Sequence, residues 1–200
     1  MNPIEVILIF DIGKTNKKVL LFNKHLDVIS TKSVELTETQ DEDGFPAEDI
    51  HLLTSFILDS FQDVLADKRY KLRGVNFSAY GASLVYLGTH GDVLTPLYNY
   101  LKPYPQQLFD DFYEQYGGQE NLSRSAASPV LGSLNSGMQL YRFKKEQPEK
   151  LKSLAYVLHL PQYLASLISG QFYSELTSIG CHTNLSVSYT HLTLPTKRIV

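Results

Sequence analysis

The sequence of 200 residues has no tryptophan, one cysteine and no excess of basic charge. Because Cys181 has no second cysteine to pair with, an intramolecular disulfide framework is excluded, and a reducing compartment, the cytoplasm, is the expected location. The formal net charge of -3 provides no basic field, so neither nucleic acid nor a membrane surface is expected as a partner. No apolar run is long enough to span a bilayer.

Two short apolar runs near the N-terminus, residues 6–10 and 19–22, have the composition of buried strands, and they predict a strand, a tight turn and a second strand. Asp11 would lie where the first strand ends, and Gly13 would let the backbone approach a ligand closely. The donors that follow suit an anion, and the Asp11 carboxylate suits a divalent metal. The residues of this candidate phosphate and magnesium site are Asp11, Gly13, Lys14, Thr15 and Asn16.

The same segment also fits an ordinary turn without any function. Asp and Gly are frequent between paired strands for conformational reasons alone. A motif this short matches many unrelated sequences, so these residues by themselves leave both interpretations open.

The rest of the chain alternates between predicted strands and helices, which indicates a mixed sheet with helices packed on it. Residues 27–36 predict a third strand that extends an antiparallel meander, and the polar residues 37–44 predict a surface loop. Pro46 would open a helix over residues 46–68, with Glu48 and Asp49 near its positive end. Further strands are predicted at 72–77, 84–87 and 154–160, and further helices at 106–116, 133–145 and 161–170.

Two loops could contact a small ligand. Small residues from Tyr80 to Ser83 separate two apolar runs, which suggests a backbone that bends near a ligand. Residues 95–105 are rich in proline and tyrosine and contain Asn99, and such side chains can stack on and hydrogen-bond a sugar. A bulge in the first loop and simple packing of the tyrosines in the second are the alternatives.

The order of these features resembles the N-terminal lobe of the FGGY carbohydrate kinases. Residues 10–16 (FDIGKTN) look like the first phosphate loop of that family. Residues 77–87 (FSAYGASLVYL) look like its sugar-contacting strand and loop, and their pattern is nearest to rhamnulokinases and fuculokinases. Three later segments resemble further motifs of the family: residues 96–100, 138–148 and 158–174.

The resemblance implies an α/β structure of the ribonuclease H-like, actin-like ATPase type, with a mixed sheet, flanking helices and the N-terminal lobe only. It implies phosphorylation of a small sugar, with ATP and Mg²⁺ as cofactors and Asp11 as the metal ligand. The catalytic base is expected in a second lobe, so its identity is unknown, and a homo-oligomer is left open. The implied substrate-binding residues are Tyr80, Gly81, Ala82, Ser83, Asn99 and Tyr100.

Two positions depart from the family pattern. Ser83 stands where the nearer relatives carry Asp, and Tyr100 stands where an acidic sugar ligand is usual. Both changes remove a carboxylate, so the family's substrate assignments do not transfer. Two rival functions follow: a non-catalytic sugar-binding or regulatory module, and another ATPase of the actin-like superfamily.

The expected domain organisation is an FGGY N-terminal domain over residues 1–186, a non-native tail over residues 187–200, and no C-terminal lobe. Without a second lobe, the chain by itself is not expected to phosphorylate a sugar.

Overall fold

In the computed structural model, which describes residues 2–185, strands predominate in the first half of the chain and helices in the second. The strands are β1 (Ile4–Ile12), β2 (Asn16–Asn23), β3 (Val28–Glu35), β4 (Glu38–Gln40), β5 (Pro46–Glu48), β6 (Tyr70–Ala79), β7 (Leu84–Leu87) and β8 (Tyr156–His159). The helices are α1 (Ile50–Ala66), α2 (Gln106–Gln115), α3 (Gln119–Ala126), α4 (Ser136–Glu146), α5 (Pro148–Ser153), α6 (Leu160–Ser169) and α7 (Leu176–Gly180). The predicted tail, residues 187–200, lies outside the described residues.

The main sheet has four strands in the order β3-β2-β1-β6. Strand β2 pairs antiparallel with both β1 and β3, which confirms the predicted meander. Strand β6 pairs with the other edge of β1 in parallel, so the sheet is mixed as expected. Strand β1 is therefore central, and residues at its C-terminal end have neighbours on both sides.

The side chains of β1 alternate as the strand period requires. Val6, Leu8, Phe10 and Ile12 are all buried, at most 1% exposed, on one face of the sheet. The Phe10 ring stacks on Phe77 of β6, with centroids 5.1 Å apart. Burying one such side chain contributes about 1.5–3 kcal/mol, so this face anchors the central strand.

Helix α1 covers that face of the sheet with Ile50, Leu53 and Ile57. It begins at Ile50, not at Pro46 as predicted, because the Asp49 side chain accepts the backbone N–H groups of His51 and Leu52 and caps the helix there. The helix ends at Ala66, two residues before the predicted end. Glu48 is consequently not a first-turn helix residue but the end of strand β5.

Residues 37–44 are not simply a surface loop. Strand β4 pairs with β5, and Asp41 is only 7% exposed. Its carboxylate accepts the backbone N–H groups of Asp43 and Phe45 and lies 2.5 Å from Nζ of Lys102. These partners replace water around the Asp41 charge, which is why this one carboxylate is buried while the rest of the segment is exposed.

The second half packs around β7 and β8, which pair antiparallel. Helix α4 begins at Ser136, three residues after the predicted start, since Gly132–Leu134 forms a 3-10 turn that the Asn135 side chain holds to Leu131. Helix α3 has no counterpart in the sequence prediction. Within residues 2–185, no helix combines the length and the apolar character needed to cross a membrane.

Candidate functional site

The turn between β1 and β2 is closed by its own backbone. The N–H of Gly13 donates to the carbonyl of Asn16 at 2.9 Å. A Cβ atom at position 13 would lie 3.1 Å from that carbonyl oxygen, so a larger residue would press against the turn. Nζ of Lys17 donates to the carbonyl of Lys14 at 2.9 Å, which adds a side-chain hydrogen bond to the turn.

Asp11 lies one residue before the end of the central strand and is half-buried. It is opposite Lys18 on β2 and Ser78 on β6. No group of three or more metal-ligating side chains occurs among residues 2–185. Mg²⁺ usually takes only one or two protein carboxylates and completes its shell with phosphate oxygens and water, so Asp11 alone is a suitable donor for this ion.

Lys14 and Glu38 form an ion pair with Nζ and Oε1 2.5 Å apart. The two side chains are 25% and 48% exposed. Partly exposed pairs of this kind contribute about 0–1 kcal/mol, so a phosphate group could compete with Glu38 for the Lys14 ammonium. The structure thus gives Lys14 a partner that the sequence interpretation did not include.

A buried charge cluster beneath the turn was missed by the sequence interpretation. Nζ of Lys17 lies 2.5 Å from Oε1 of Glu48, and both side chains are at most 3% exposed. The Tyr80 hydroxyl donates to Oε2 of Glu48. One signal in the sequence pointed to Lys17: it occupies the inward-facing register of β2 together with Val19 and Leu21, where a charge requires a buried partner.

The two predicted sugar loops meet each other. The ring of Tyr80 packs against Tyr100, with centroids 5.7 Å apart and the planes tilted by 49°. Ser83 is 1% exposed, and its hydroxyl donates to the Tyr98 carbonyl at 2.8 Å. In the structure Ser83 therefore joins the loops. The Asn99 side chain accepts the Leu101 N–H at 2.9 Å within its own turn.

The remaining predicted sugar residues line two different cavities. Gly81 and Ala82 line an open cavity of about 480 Å³, large enough for a monosaccharide. Asn99 lines a separate cavity of about 50 Å³ beside Lys102 and Arg142. The structure brings Tyr80, Ser83 and Tyr100 to one loop–loop contact but distributes the others, so a single sugar site built from all six residues stays a prediction.

Hydroxyl groups and apolar side chains dominate the larger cavity. Ser136 lies in its wall and its Oγ is 2.9 Å from Nε2 of His159, which is 5% exposed. Burial lowers the pKa of His159 to about 4, and the charge of Glu175 offsets part of that effect. His159 is therefore neutral near pH 7 and can orient the Ser136 hydroxyl.

This burial predicts an acid-sensitive fold. Between the ordinary pKa of 6.5 and the folded pKa of about 4, the unfolded chain binds a proton at His159 that the folded chain does not. We expect the free energy of unfolding to fall by on the order of 3 kcal/mol as the pH drops from 7 to 4, since one pKa unit is about 1.4 kcal/mol. Urea unfolding curves at a series of pH values measure this.

The matched control is His159→Gln, whose side-chain amide can keep a hydrogen bond to Ser136 but cannot titrate. The part of the pH dependence that arises from position 159 should vanish in this variant. An identical slope in both proteins would show that His159 is not the responsible group.

Comparison with known proteins adds evidence on ancestry. The family model described as "FGGY family of carbohydrate kinases, N-terminal domain" matches residues 6–189. No curated protein matches the sequence significantly.

Solved structures share the fold. A carbohydrate kinase from Novosphingobium aromaticivorans has a TM-score of 0.77 at 22% identity, covering 92% of this chain and 38% of that one. A xylulose kinase from Rhodospirillum rubrum has a TM-score of 0.79 at 14% identity, covering 93% of this chain and 39% of that one. A glycerol kinase from Plasmodium falciparum, solved with ADP, has a TM-score of 0.78 at 16% identity, covering 99% of this chain and 40% of that one. The chain thus spans less than half the length of these structures.

Proposed function

Because the chain belongs to the FGGY family of carbohydrate kinases, we propose that it forms the N-terminal lobe of an enzyme that transfers the terminal phosphoryl group of ATP to a sugar hydroxyl. Its mixed sheet with flanking helices is the ribonuclease H-like, actin-like ATPase fold of that family. The observation that carries the proposal is the family match over residues 6–189, which includes the hairpin with Asp11 at its turn. The comparable solved kinases are more than twice as long, which supports a second lobe in the intact enzyme.

We assign the nucleotide phosphates to the β1–β2 turn. Thr15 and Asn16 are exposed there, and the Lys14 ammonium is close by. These groups would donate to phosphate oxygens, and the Asp11 carboxylate would hold Mg²⁺. When bound, Mg²⁺ neutralises charge on the phosphate oxygens. The role of this lobe would be to position the phosphates, since phosphoryl transfer depends mainly on positioning and charge neutralisation.

We assign the sugar to the side of the lobe where loop 80–83 and loop 98–100 meet. The cavity of about 480 Å³ beside Gly81 and Ala82 supports this assignment by its size. Tyr80, Ser83, Asn99 and Tyr100 complete the proposed set, with Ser83 acting through the backbone of the second loop. The base that takes the proton of the sugar hydroxyl would come from the second lobe, and the enzyme would work in the cytoplasm.

The test is the release of ADP by the full-length gene product, supplied with Mg²⁺, ATP and a panel of ketoses, deoxysugars and polyols. We expect release that depends on one or a few of these compounds. ATP hydrolysis at the same rate without any sugar would instead support an ATPase of the actin-like superfamily. Sugar binding by calorimetry with no ADP release would support a non-catalytic binding module.

A further inference from the structure

Glu48 is connected to three separate parts of the proposed active site. Its side chain is 3% exposed and lies at the end of β5, directly before the Asp49 cap of α1. One carboxylate oxygen is 2.5 Å from Nζ of Lys17, and the other accepts the Tyr80 hydroxyl. Its backbone N–H donates to the Leu97 carbonyl at 3.3 Å. A single residue thus contacts the β1–β2 hairpin and the beginning of both proposed sugar loops.

Two of these contacts, those with Lys17 and Tyr80, extend to segments that would meet a ligand. Lys17 also contacts the phosphate turn, because its ammonium donates to the Lys14 carbonyl at 2.9 Å. Tyr80 also contacts the second sugar loop, because its ring packs against Tyr100 with the ring centroids 5.7 Å apart. A continuous series of contacts, made of hydrogen bonds, one ion pair and one contact between aromatic rings, therefore connects the phosphate turn to the second sugar loop.

Stability alone does not account for such a cluster. Burying an ammonium and a carboxylate costs several kcal/mol per ion before their attraction is counted, and replacement by apolar residues is often neutral or stabilising. Oε1 of Glu48 contacts Lys17 without the angle of a hydrogen bond, so the pair is not geometrically ideal. The buried Lys17–Glu48 pair is therefore suited to fixing the position of the β1–β2 hairpin relative to loop 80–83.

The third member of the cluster is a reliable donor. Burial, followed by the charge of Glu48, raises the pKa of Tyr80 far above its ordinary value. The Tyr80 hydroxyl therefore stays protonated across the physiological range. It therefore remains available as a hydrogen-bond donor to Glu48 near neutral pH.

We propose that Glu48 is a positioning residue that couples the phosphate turn to the sugar loops, so that binding of sugar and binding of nucleotide strengthen each other. The proposal rests on the phosphate and sugar assignments made above. A ligand that fixes loop 80–83 would fix Tyr80, Glu48 and Lys17, and thereby the turn at Lys14. Coupling between two ligands is reciprocal by thermodynamic necessity, so the effect must be equal in both directions.

The measurable quantity is the ratio of two dissociation constants for a nonhydrolysable ATP analogue with Mg²⁺, without and with a saturating sugar. The sugar is the one that supports ADP release by the full-length gene product. In the unmodified enzyme this ratio should fall in the range of about 5–150 that is usual for coupled sites. Calorimetry provides each constant, and the reverse titration with sugar must return the same ratio.

Two variants remove different contacts of this series. Glu48→Gln removes the charge but leaves Lys17 buried without its counter-ion, so it risks unfolding. Tyr80→Phe removes only the hydroxyl, and it preserves both the ring contact with Tyr100 and the Lys17–Glu48 pair. The matched control is Tyr163→Phe, because the Tyr163 hydroxyl is hydrogen-bonded to the Thr54 hydroxyl at 2.8 Å, between α6 and α1 and outside both sugar loops.

We expect the ratio to approach one in Tyr80→Phe, and in Glu48→Gln if it folds, while Tyr163→Phe keeps the original value. A purely structural role would lower thermal stability without changing the ratio. An unchanged ratio in Tyr80→Phe would overturn the coupling role and leave the proposed function standing. A ratio of one in the unmodified enzyme would also overturn it, whereas failure of that enzyme to bind nucleotide and sugar would overturn the proposed function itself.

Discussion

Replacing Asp11 with asparagine is expected to lower the rate of Mg²⁺-dependent sugar phosphorylation by the full-length gene product by roughly 10²–10³-fold, the usual effect of losing one preorganised charge-stabilising group. The amide has nearly the shape of the carboxylate but cannot carry its negative charge, so the proposed metal site is lost. Asp11 is half-buried at the end of β1, and the strand pairs through its backbone, so the fold should be retained.

The rate is measured as sugar-dependent ADP release over a range of Mg²⁺ concentrations. Asp27→Asn is the matched control, since Asp27 is an exposed carboxylate at the next turn of the same meander. The control should keep the unmodified rate. If Asp11→Asn also kept it, Asp11 would be an ordinary turn residue, as the sequence alone allowed.

The 200-residue chain by itself is expected to release no sugar-dependent ADP above a control without enzyme. It spans 38–40% of the length of the solved kinases it resembles. The base that takes the proton of the sugar hydroxyl is proposed to come from the second lobe. Holding the reacting groups in alignment can supply about 7–11 kcal/mol of barrier lowering, and in the proposed enzyme this contribution would require both lobes. Loss of it would reduce the rate by several orders of magnitude.

The control for this experiment is a folded sample, verified by circular dichroism and by a cooperative urea transition. Sugar-dependent ADP release by that sample would show that residues 1–200 contain a complete catalytic apparatus. The proposal of an N-terminal lobe would then be wrong.

The central hairpin could be predicted because its signal is local. Two short continuous apolar runs, residues 6–10 and 19–22, define β1 and β2, and the short polar segment between them indicates a tight turn. The antiparallel partner of β1 followed from that proximity. A mixed sheet was likewise expected from the alternation of strands and helices, but the number of its strands and the parallel pairing of β6 with β1 were not predicted.

Buried charges were not predictable in the same way. Asp41 looks like a surface residue in sequence because its neighbours are polar and acidic, and Glu48 looks like a first-turn helix residue because it follows Pro46 and precedes Asp49. Each of these carboxylates forms an ion pair with a lysine distant in the chain: Glu48 with Lys17, and Asp41 with Lys102. Local composition carries no information about such pairs. The predicted helix start at Pro46 was wrong for a different reason, since residues 46–48 form strand β5 and Asp49 caps the helix after them.

The candidate sugar site stays a prediction, although the structure shows how its two loops are arranged. That loops 80–83 and 98–100 meet agrees with the structure, through Tyr80 against Tyr100 and Ser83 against the Tyr98 carbonyl. Which side chains face a common cavity depends on how the helical half packs against these loops. No periodicity within either loop encodes that packing.

The most direct measurement is a crystal structure of the full-length gene product with a nonhydrolysable ATP analogue and Mn²⁺, which prefers the same oxygen ligands as Mg²⁺ and scatters anomalously. We expect the anomalous peak beside the Asp11 carboxylate, with the phosphates over residues 13–16. A nucleotide bound away from the β1–β2 turn, with no peak near Asp11, would contradict the proposed phosphate site.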